Sequence, residues 1–252
     1  MDISKGKYWD ASCNPIVVNE CHCEVGKNCW AHKMANRYGW KSGWYPERLK
    51  KISTKGKAKV FAMCWLGDIA KTEVPDYQIK AGLLAECQYI NIRRQNLNIE
   101  PHTFLFLTKW PKLVYEHFEW LTRNIQFKHN QSGIWIGTTI TGANPKLDKK
   151  RVNSLLKFKG FRKWLSIEPL LAPINSDSLL KLGKFDQVVI GVDSAPGAKK
   201  TDWIWAYDTM LLCRDEVPCF VKQLHINGKL SKNMNDWPKD LQVRELEWNN
   251  DR

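Results

Sequence analysis

Short, almost continuously apolar segments recur along the chain, and stretches with helical periodicity separate them. They are Lys59–Trp65, Thr103–Lys109, Ile134–Ile140, Lys163–Pro169, Gln187–Asp193 and Cys219–Leu224. Continuous apolar runs of this length are typical of strands buried on both faces of a parallel sheet. Apolar residues recur at helical spacing in 74–93 (Ile79, Leu83, Leu84 and Cys87), in 111–124 (Leu113, Phe118 and Leu121) and in 202–216 (Trp205, Met210 and Leu211). The alternation predicts right-handed strand–helix–strand units.

These units predict an α/β fold. We favour a (β/α) barrel, complete or partial, although the pattern is also compatible with an open doubly wound sheet. A further strand is expected near Lys7–Ser12 or Pro15–Val18. The sequence contains neither G-x-G-x-x-G nor G-x-x-x-x-G-K-[S/T], the common nucleotide-binding loops. We expect one domain over residues 1–252, with a cysteine loop and its following helix at 13–40 and a C-terminal extension at 229–252.

Polar residues stand at or just after the ends of the predicted strands. In α/β barrels the carboxyl ends of the strands form the reaction face, because the loops there surround one mouth. A single polar residue at such a place is usually a strand end that meets solvent, but the repetition over successive strands favours a site. The residues are Asp68, Thr108, Lys109, Thr138, Ser166, Glu168, Asp193, Ser194, Lys222 and Gln223.

The composition favours a polyanionic partner. The formal net charge is +13, from 39 Lys and Arg against 26 Asp and Glu, and nucleic acid is the usual partner of such a chain. Basic runs lie at Arg93–Gln95, Lys146–Arg151, Lys157–Trp164 and Lys181–Lys184, although such runs are often only solvated helix faces. No apolar run is long enough for a membrane span, and the start has no apolar signal core. We therefore expect a cytoplasmic protein.

Cys21, Cys23 and Cys29 form a C-x-C-x5-C pattern. Thiols are normally kept reduced in the cytoplasm, so a metal is favoured over disulfides. Three local thiolates suit an iron–sulfur cluster with one open iron. A structural zinc needs four ligands, and His22, His32 or Cys13 could complete its set. Four further cysteines lie within strand or helix patterns and are expected in the core: Cys64, Cys87, Cys213 and Cys219.

Several stretches resemble a phage-associated three-cysteine-motif family of largely uncharacterised proteins, which is similar to radical S-adenosylmethionine enzymes. They are "CNPIVVNEC", "VGKNCWA", "FAMCWLGD", "FLFLTKWP", "IWIGTTI", "WLSIEPLLAPI", "VVIGVDSAPGAK" and "VPCFVKQL", in the family's order between Tyr8 and Gly228. The family's middle cysteine corresponds to Gly26, so Cys23 would replace it, and Trp30 stands where the family has tyrosine. The Glu before the family's S-G-P-G is Asp193 here.

The resemblance implies a partial barrel with Cys21, Cys23 and Cys29 as ligands of a [4Fe–4S] cluster that cleaves S-adenosylmethionine to a 5′-deoxyadenosyl radical. It also implies an external electron donor, and a distant similarity to spore photoproduct lyase supports a nucleic acid or nucleotide substrate. Glu168, Asp193 and Lys109 are the expected catalytic residues, although Glu168 could instead form a structural ion pair with Lys109 or Lys222. The expected cofactor-binding residues are Trp30, Asp68, Thr138, Ser166, Ser194, Lys222 and Gln223. The alternative is a non-catalytic nucleic-acid-binding protein stabilised by zinc or a cluster.

Overall fold

The computed structural model describes residues 2–18, 29–70, 77–124, 133–174, 184–195 and 197–249. Cys21 and Cys23 of the predicted cluster site lie outside these residues, whereas Cys29 lies within them. Within the described parts of the chain, no helix has the length and apolar character that a membrane crossing requires.

Strands and helices alternate along most of the chain, as the sequence pattern predicts. The strands are β1 (Ala11–Cys13), β2 (Ile16–Val17), β3 (Gly43–Trp44), β4 (Val60–Met63), β5 (Thr103–Thr108), β6 (Ile134–Thr139), β7 (Arg162–Leu170), β8 (Gln187–Val192), β9 (Cys219–Ile226) and β10 (Lys229–Ser231). The α-helices are α1 (Trp30–Arg37), α2 (Tyr77–Asn96), α3 (Pro111–Asn124), α4 (Pro145–Leu155) and α5 (Trp203–Cys213). Each of the six apolar segments coincides with a strand to within a few residues, so these six predictions are confirmed.

Eight strands form one sheet in the order β1-β4-β5-β6-β7-β8-β9-β10, and β2 pairs with β3 in a second sheet. The pairs β1–β4, β4–β5, β7–β8 and β8–β9 are parallel, whereas β10 returns antiparallel to β9. The predicted α/β class with a mostly parallel sheet is therefore confirmed. The finer prediction of a partial barrel stays a prediction.

The chain divides into two compact units. The N-terminal unit comprises residues 9–136 and 158–161, and the C-terminal unit comprises residues 1–8, 137–157 and 162–252. Each unit has its own buried core, described in turn below.

In the C-terminal unit, the buried strands β7, β8 and β9 support an aromatic cluster. The ring of Tyr8 lies 6.2 Å from that of Trp164, 5.4 Å from that of Phe220 and 5.9 Å from that of Trp248, measured between centroids. Gly137 makes room for this cluster, since a Cβ there would lie 2.4 Å from the Trp164 ring. Burial of these large rings contributes to the hydrophobic stabilisation of the unit.

Helix α5 packs on β8 and β9 with a face that the sequence pattern identifies only in part, since the predicted Met210 and Cys213 are buried. Its buried residues are Ala206, Thr209, Met210 and Cys213. Leu211, which the apolar pattern places in the core, is exposed. The helix is apolar on nearly every side, so the periodicity alone could not select the face that packs.

In the N-terminal unit, α2 contributes Leu83, Leu84 and Cys87 to the core, as predicted. Three of the core cysteines of this unit, Cys13, Cys64 and Cys87, are buried. Burial raises the pKa of Cys13 to about 11, and it raises the pKa values of Cys64 and Cys87 well above that of a free thiol. These thiols are therefore protonated and unreactive at neutral pH. Cys213 and Cys219 are buried in the other unit. The prediction that Cys64, Cys87, Cys213 and Cys219 lie in the core is therefore confirmed.

Candidate active site

Glu168 lies near the carboxyl end of β7 and is held by two groups of the C-terminal unit. The hydroxyl of Tyr8 donates a hydrogen bond of 2.8 Å to Glu168 Oε2. Lys222 Nζ, from β9, lies 2.7 Å from Glu168 Oε1. This distance is typical of a charge-assisted contact between an ammonium group and a carboxylate. The side chains of Lys222 and Glu168 are only 23% and 13% exposed, so solvent screens the pair weakly.

The Tyr8 hydroxyl keeps its proton and therefore remains a hydrogen-bond donor to Glu168. Burial, together with the neighbouring Glu168 charge and the hydrogen bond to it, raises the pKa of Tyr8 well above its ordinary value. The phenol therefore keeps its proton throughout the physiological range and orients one oxygen of Glu168. Its ring also lies 5.7 Å from Lys222 Nζ, which adds a cation–π contact to the same ion pair.

Gly191 of β8 leaves the space that the Glu168 carboxylate occupies. A Cβ at residue 191 would lie 2.9 Å from Glu168 Oε1 and 3.4 Å from Glu168 Cγ. Gly191 is also the register partner of Gln223 on β9. Strand β7 thus contributes Glu168, and the neighbouring strand β8 contributes the space left by Gly191. Strand β9, next to β8, contributes two polar residues, Lys222 and Gln223.

Two further predicted residues of this unit carry buried polar atoms without a partner. Among the described residues, none forms a hydrogen bond with Ser166 Oγ or Gln223 Oε1. The orientation of the Gln223 amide is fixed by its nitrogen, because Nε2 donates a hydrogen bond of 2.8 Å to the Val192 carbonyl. An unpaired buried polar group costs about 1–3 kcal/mol, so native proteins retain one mainly where a ligand or water pairs with it.

The remaining predicted residues of the C-terminal unit are placed differently. Asp193 follows β8 directly, and its Oδ1 accepts a hydrogen bond of 2.9 Å from Ala195 N, so it stabilises its own turn. Ser194 is exposed, and Thr138 is fully buried within β6. Of the predicted set, the structure brings together Glu168 and Lys222 directly.

In the N-terminal unit, the Asp68 carboxylate contacts the backbone of Lys109 rather than its side chain. Asp68 Oδ2 accepts a hydrogen bond of 2.6 Å from Lys109 N. Its Oδ1 accepts hydrogen bonds from Thr108 Oγ1 at 2.6 Å and from Ala70 N at 2.9 Å. Burial raises the pKa of Asp68, and these donors partly oppose the shift. Asp68 therefore ties the loop after β4 to the end of β5.

Cys29 and Trp30 mark the start of α1 in the same unit. Cys29 is buried and immediately precedes the helix, and its carbonyl accepts a hydrogen bond of 3.0 Å from Lys33 N. Trp30 is the first helical residue and is 56% exposed. Over the described residues, no group of three or more His, Cys, Asp and Glu side chains could hold a metal ion. Cys21 and Cys23 lie outside the described residues, so the predicted cluster site stays a prediction.

Tyr8 and Gly191 are the two residues of this site that sequence reasoning missed. Tyr8 is 160 positions away from Glu168 and belongs to a short segment without periodicity. Gly191 lies inside an ordinary apolar strand, where a glycine can signal a close approach of another group. That signal was present in the sequence for Gly191, whereas none indicated the role of Tyr8.

Comparisons with known proteins give a family but no activity. No curated protein and no solved structure matches the chain. A match with a protein family covers residues 4–249, which is nearly the whole sequence, and the family is described as "Protein of unknown function (DUF5131)". The chain therefore belongs to the DUF5131 family.

Proposed function

We propose that the protein is a radical S-adenosylmethionine iron–sulfur enzyme that abstracts hydrogen from a nucleic acid or nucleotide. The observation that carries the proposal is the set of polar groups on β7 and β9: the Glu168–Lys222 pair and the unpaired Ser166 Oγ and Gln223 Oε1. A carboxylate and an ammonium complement the zwitterionic methionine end of S-adenosylmethionine. The two unpaired atoms suit its remaining donors, such as the ribose hydroxyls.

The chain's own residues would bind and orient this cofactor. Glu168 would accept from the methionine ammonium group, and Lys222 would pair with the methionine carboxylate. Tyr8 would hold the Glu168 carboxylate in one orientation as Lys222 turns from Glu168 to the ligand, because the phenol keeps its proton. The Glu168–Lys222 ion pair would thereby be replaced by two ion pairs with the ligand.

The metal site proposed for the same enzyme is formed by Cys21, Cys23 and Cys29. Soft thiolates are the ligands that iron–sulfur clusters require, and three of them leave one iron open. When bound, the cluster would supply the electron for reductive cleavage of S-adenosylmethionine, and an external donor would restore that electron. The formal net charge of +13 supports a polyanionic substrate.

Anaerobic purification followed by reconstitution with iron and sulfide tests the proposal. We expect a brown protein with about four iron atoms per chain that releases 5′-deoxyadenosine from S-adenosylmethionine under reducing conditions. The Cys21→Ala, Cys23→Ala and Cys29→Ala variants should lose both iron and cleavage. Cys87→Ala, which removes a core thiol, should retain both.

The alternative function predicts a different outcome of the same experiment. A colourless protein that contains stoichiometric zinc and leaves S-adenosylmethionine intact would refute the enzyme and favour a zinc-stabilised nucleic-acid-binding protein. Calorimetric titration of the reconstituted protein with S-adenosylmethionine separates binding from cleavage. We expect the Glu168→Gln variant to bind it at least tenfold more weakly, because an amide does not neutralise the methionine ammonium group.

A further inference from the structure

The N-terminal unit contains a cavity that the proposed chemistry does not use. Its volume is about 510 Å³, and it lies between the turn Pro46–Lys51 and helix α2. The lining includes two aromatic side chains, Trp44 and Tyr89, and two cationic ones, Lys50 and Arg93. Cavities of this size hold small organic groups such as a nucleobase with its sugar.

Tyr89 and Arg93 form the open side of this cavity on α2. Tyr89 is 54% exposed, so much of its side chain faces solvent rather than the protein interior. The Arg93 guanidinium lies 5.7 Å from the centre of that ring. An exposed ring beside a cation is the arrangement on which single-stranded nucleic acids stack a base and place a phosphate.

The chain beside the cavity is strongly basic and rich in aromatic residues. We name residues 37–59 the basic aromatic segment. It has eight Lys and Arg residues against one acidic residue, Glu47, and four aromatic residues. They are Arg37, Lys41, Arg48, Lys50, Lys51, Lys55, Lys57 and Lys59, with Tyr38, Trp40, Trp44 and Tyr45.

Rings and cations of the basic aromatic segment are stacked together. The Arg48 guanidinium lies 4.4 Å from the Tyr45 ring centre and 5.7 Å from the Trp40 ring centre. Tyr38 stacks on Trp40 with centroids 5.0 Å apart. Where the chain is described, the lysines of this segment form no ion pairs with carboxylates. The electrostatic repulsion among these lysines would therefore be reduced by the binding of an external anion.

We propose that the N-terminal unit binds single-stranded nucleic acid. One base stacks on Tyr89 in the cavity, and phosphates contact Lys50, Arg93 and the neighbouring cations of the basic aromatic segment. Glu86, the acidic residue among the described lining, suits the amino groups that adenine, cytosine and guanine carry. A duplex keeps its bases stacked inside, and an acidic peptide has no flat group for the aromatic faces, so neither fits as well.

This inference deepens the proposed function, on which it rests for its substrate class, by assigning that substrate to a strand rather than a free nucleotide. Its residues are separate from Glu168, Lys222 and the cysteines. Binding requires neither a cluster nor S-adenosylmethionine. A protein that binds strands but cleaves no cofactor would refute only the proposed function, and the reverse result would refute only this inference.

Fluorescence anisotropy with a labelled single-stranded oligonucleotide tests the inference on the full-length protein. Tyr89→Ala should weaken binding about five- to hundredfold, the usual loss for one stacked base. Tyr207→Ala, which removes a half-buried tyrosine from α5, is its matched control and should bind as the wild type does. Circular dichroism verifies that both variants are folded.

A charge-matched pair of variants separates the site from general attraction. Lys50→Ala/Arg93→Ala and Lys149→Ala/Lys150→Ala each remove two exposed cations. We expect the first pair to weaken binding at least tenfold and to lower the salt dependence by about 0.7 for each lost phosphate contact. Equal losses in the two pairs, unchanged binding by Tyr89→Ala, or equal affinity for a duplex or a polyglutamate competitor would overturn the proposal.

Discussion

Replacing Tyr8 with phenylalanine removes one buried hydroxyl group and leaves the aromatic cluster of the C-terminal unit intact. The hydroxyl donates to Glu168 Oε2 at 2.8 Å. The ring contacts with Trp164, Phe220 and Trp248 require no oxygen, so phenylalanine preserves them. The change therefore isolates the hydrogen bond that orients Glu168.

The expected loss follows from the charge of the acceptor. Hydrogen bonds to ionised groups contribute about 1.5–3 kcal/mol, and neutral ones about 0.5–1.5 kcal/mol. Tyr8→Phe should therefore lower the free energy of unfolding by about 2 kcal/mol in the wild-type background. In the Glu168→Gln background the acceptor is neutral, and the loss should fall to about 1 kcal/mol. The difference, about 1 kcal/mol, measures the coupling of the two side chains.

Equilibrium unfolding in urea, followed by tryptophan fluorescence, supplies the four free energies of this cycle. Trp164 and Trp248 lie beside Tyr8 and report on the same unit. Tyr115→Phe is the control, since Tyr115 donates to Glu119 at 2.9 Å across one turn of α3, a part-buried contact. Its loss should be smaller than that of Tyr8→Phe, because Tyr115 and Glu119 are half-buried whereas Tyr8 is fully buried. A Tyr8→Phe loss equal to that control, or equal in both Glu168 backgrounds, would refute the reasoning.

Gly191→Ala should destabilise the C-terminal unit by about 1–3 kcal/mol, because the new Cβ would lie 2.9 Å from Glu168 Oε1 and displace it. Gly82→Ala on α2, where a Cβ meets no atom within 4 Å, should instead stabilise by up to about 1 kcal/mol in urea unfolding. Burial lowers the pKa of His225, whose Nδ1 accepts a 2.9 Å hydrogen bond from Thr201 N. The stabilisation by His225 should therefore be present above the unfolded pKa near 6.5 and lost as pH falls below it. The difference in free energy of unfolding between the wild type and His225→Asn, measured in urea from pH 7.5 to 5, should therefore shrink as the pH falls. A difference that stays constant with pH would contradict this.

The parts of the fold that could be predicted are those in which one local pattern has one structural solution. Continuous apolar runs such as Thr103–Lys109 match β5 within one residue, because a strand buried on both faces tolerates no polar interruption. Helix α2 buries Leu83, Leu84 and Cys87, which recur at helical spacing, although it also buries the polar Asn91 and Arg94. Helix α5 has apolar residues on most sides, so its packed face depended on the strands it meets, which local sequence does not specify.

Strand-end reasoning named Glu168 and Lys222, which the structure brings into contact, but it did not separate them from carboxylates that bind only the backbone. The Glu168–Lys222 pair was one of two ion pairs considered from sequence, since β7 and β9 both flank β8. Asp68 and Asp193 also follow strands, yet each accepts a hydrogen bond from the backbone N–H two residues later. Aspartate commonly closes a turn in this way, so its position after a strand is weak evidence for binding.

Stability alone does not account for the polar groups on β7 and β9. Ser166 is fully buried among apolar strand residues, and its hydroxyl has no hydrogen-bond partner within the described part of the chain, which costs about 1–3 kcal/mol. The Glu168–Lys222 pair requires desolvation of two charges, which apolar residues of similar volume would avoid. Tyr8 and Gly191 lie far apart in the sequence, yet one orients the carboxylate and the other leaves it space. The buried ion pair and the unpaired polar groups are costly in the free protein and become favourable once a ligand supplies donors and a countercharge, which supports the proposed binding role.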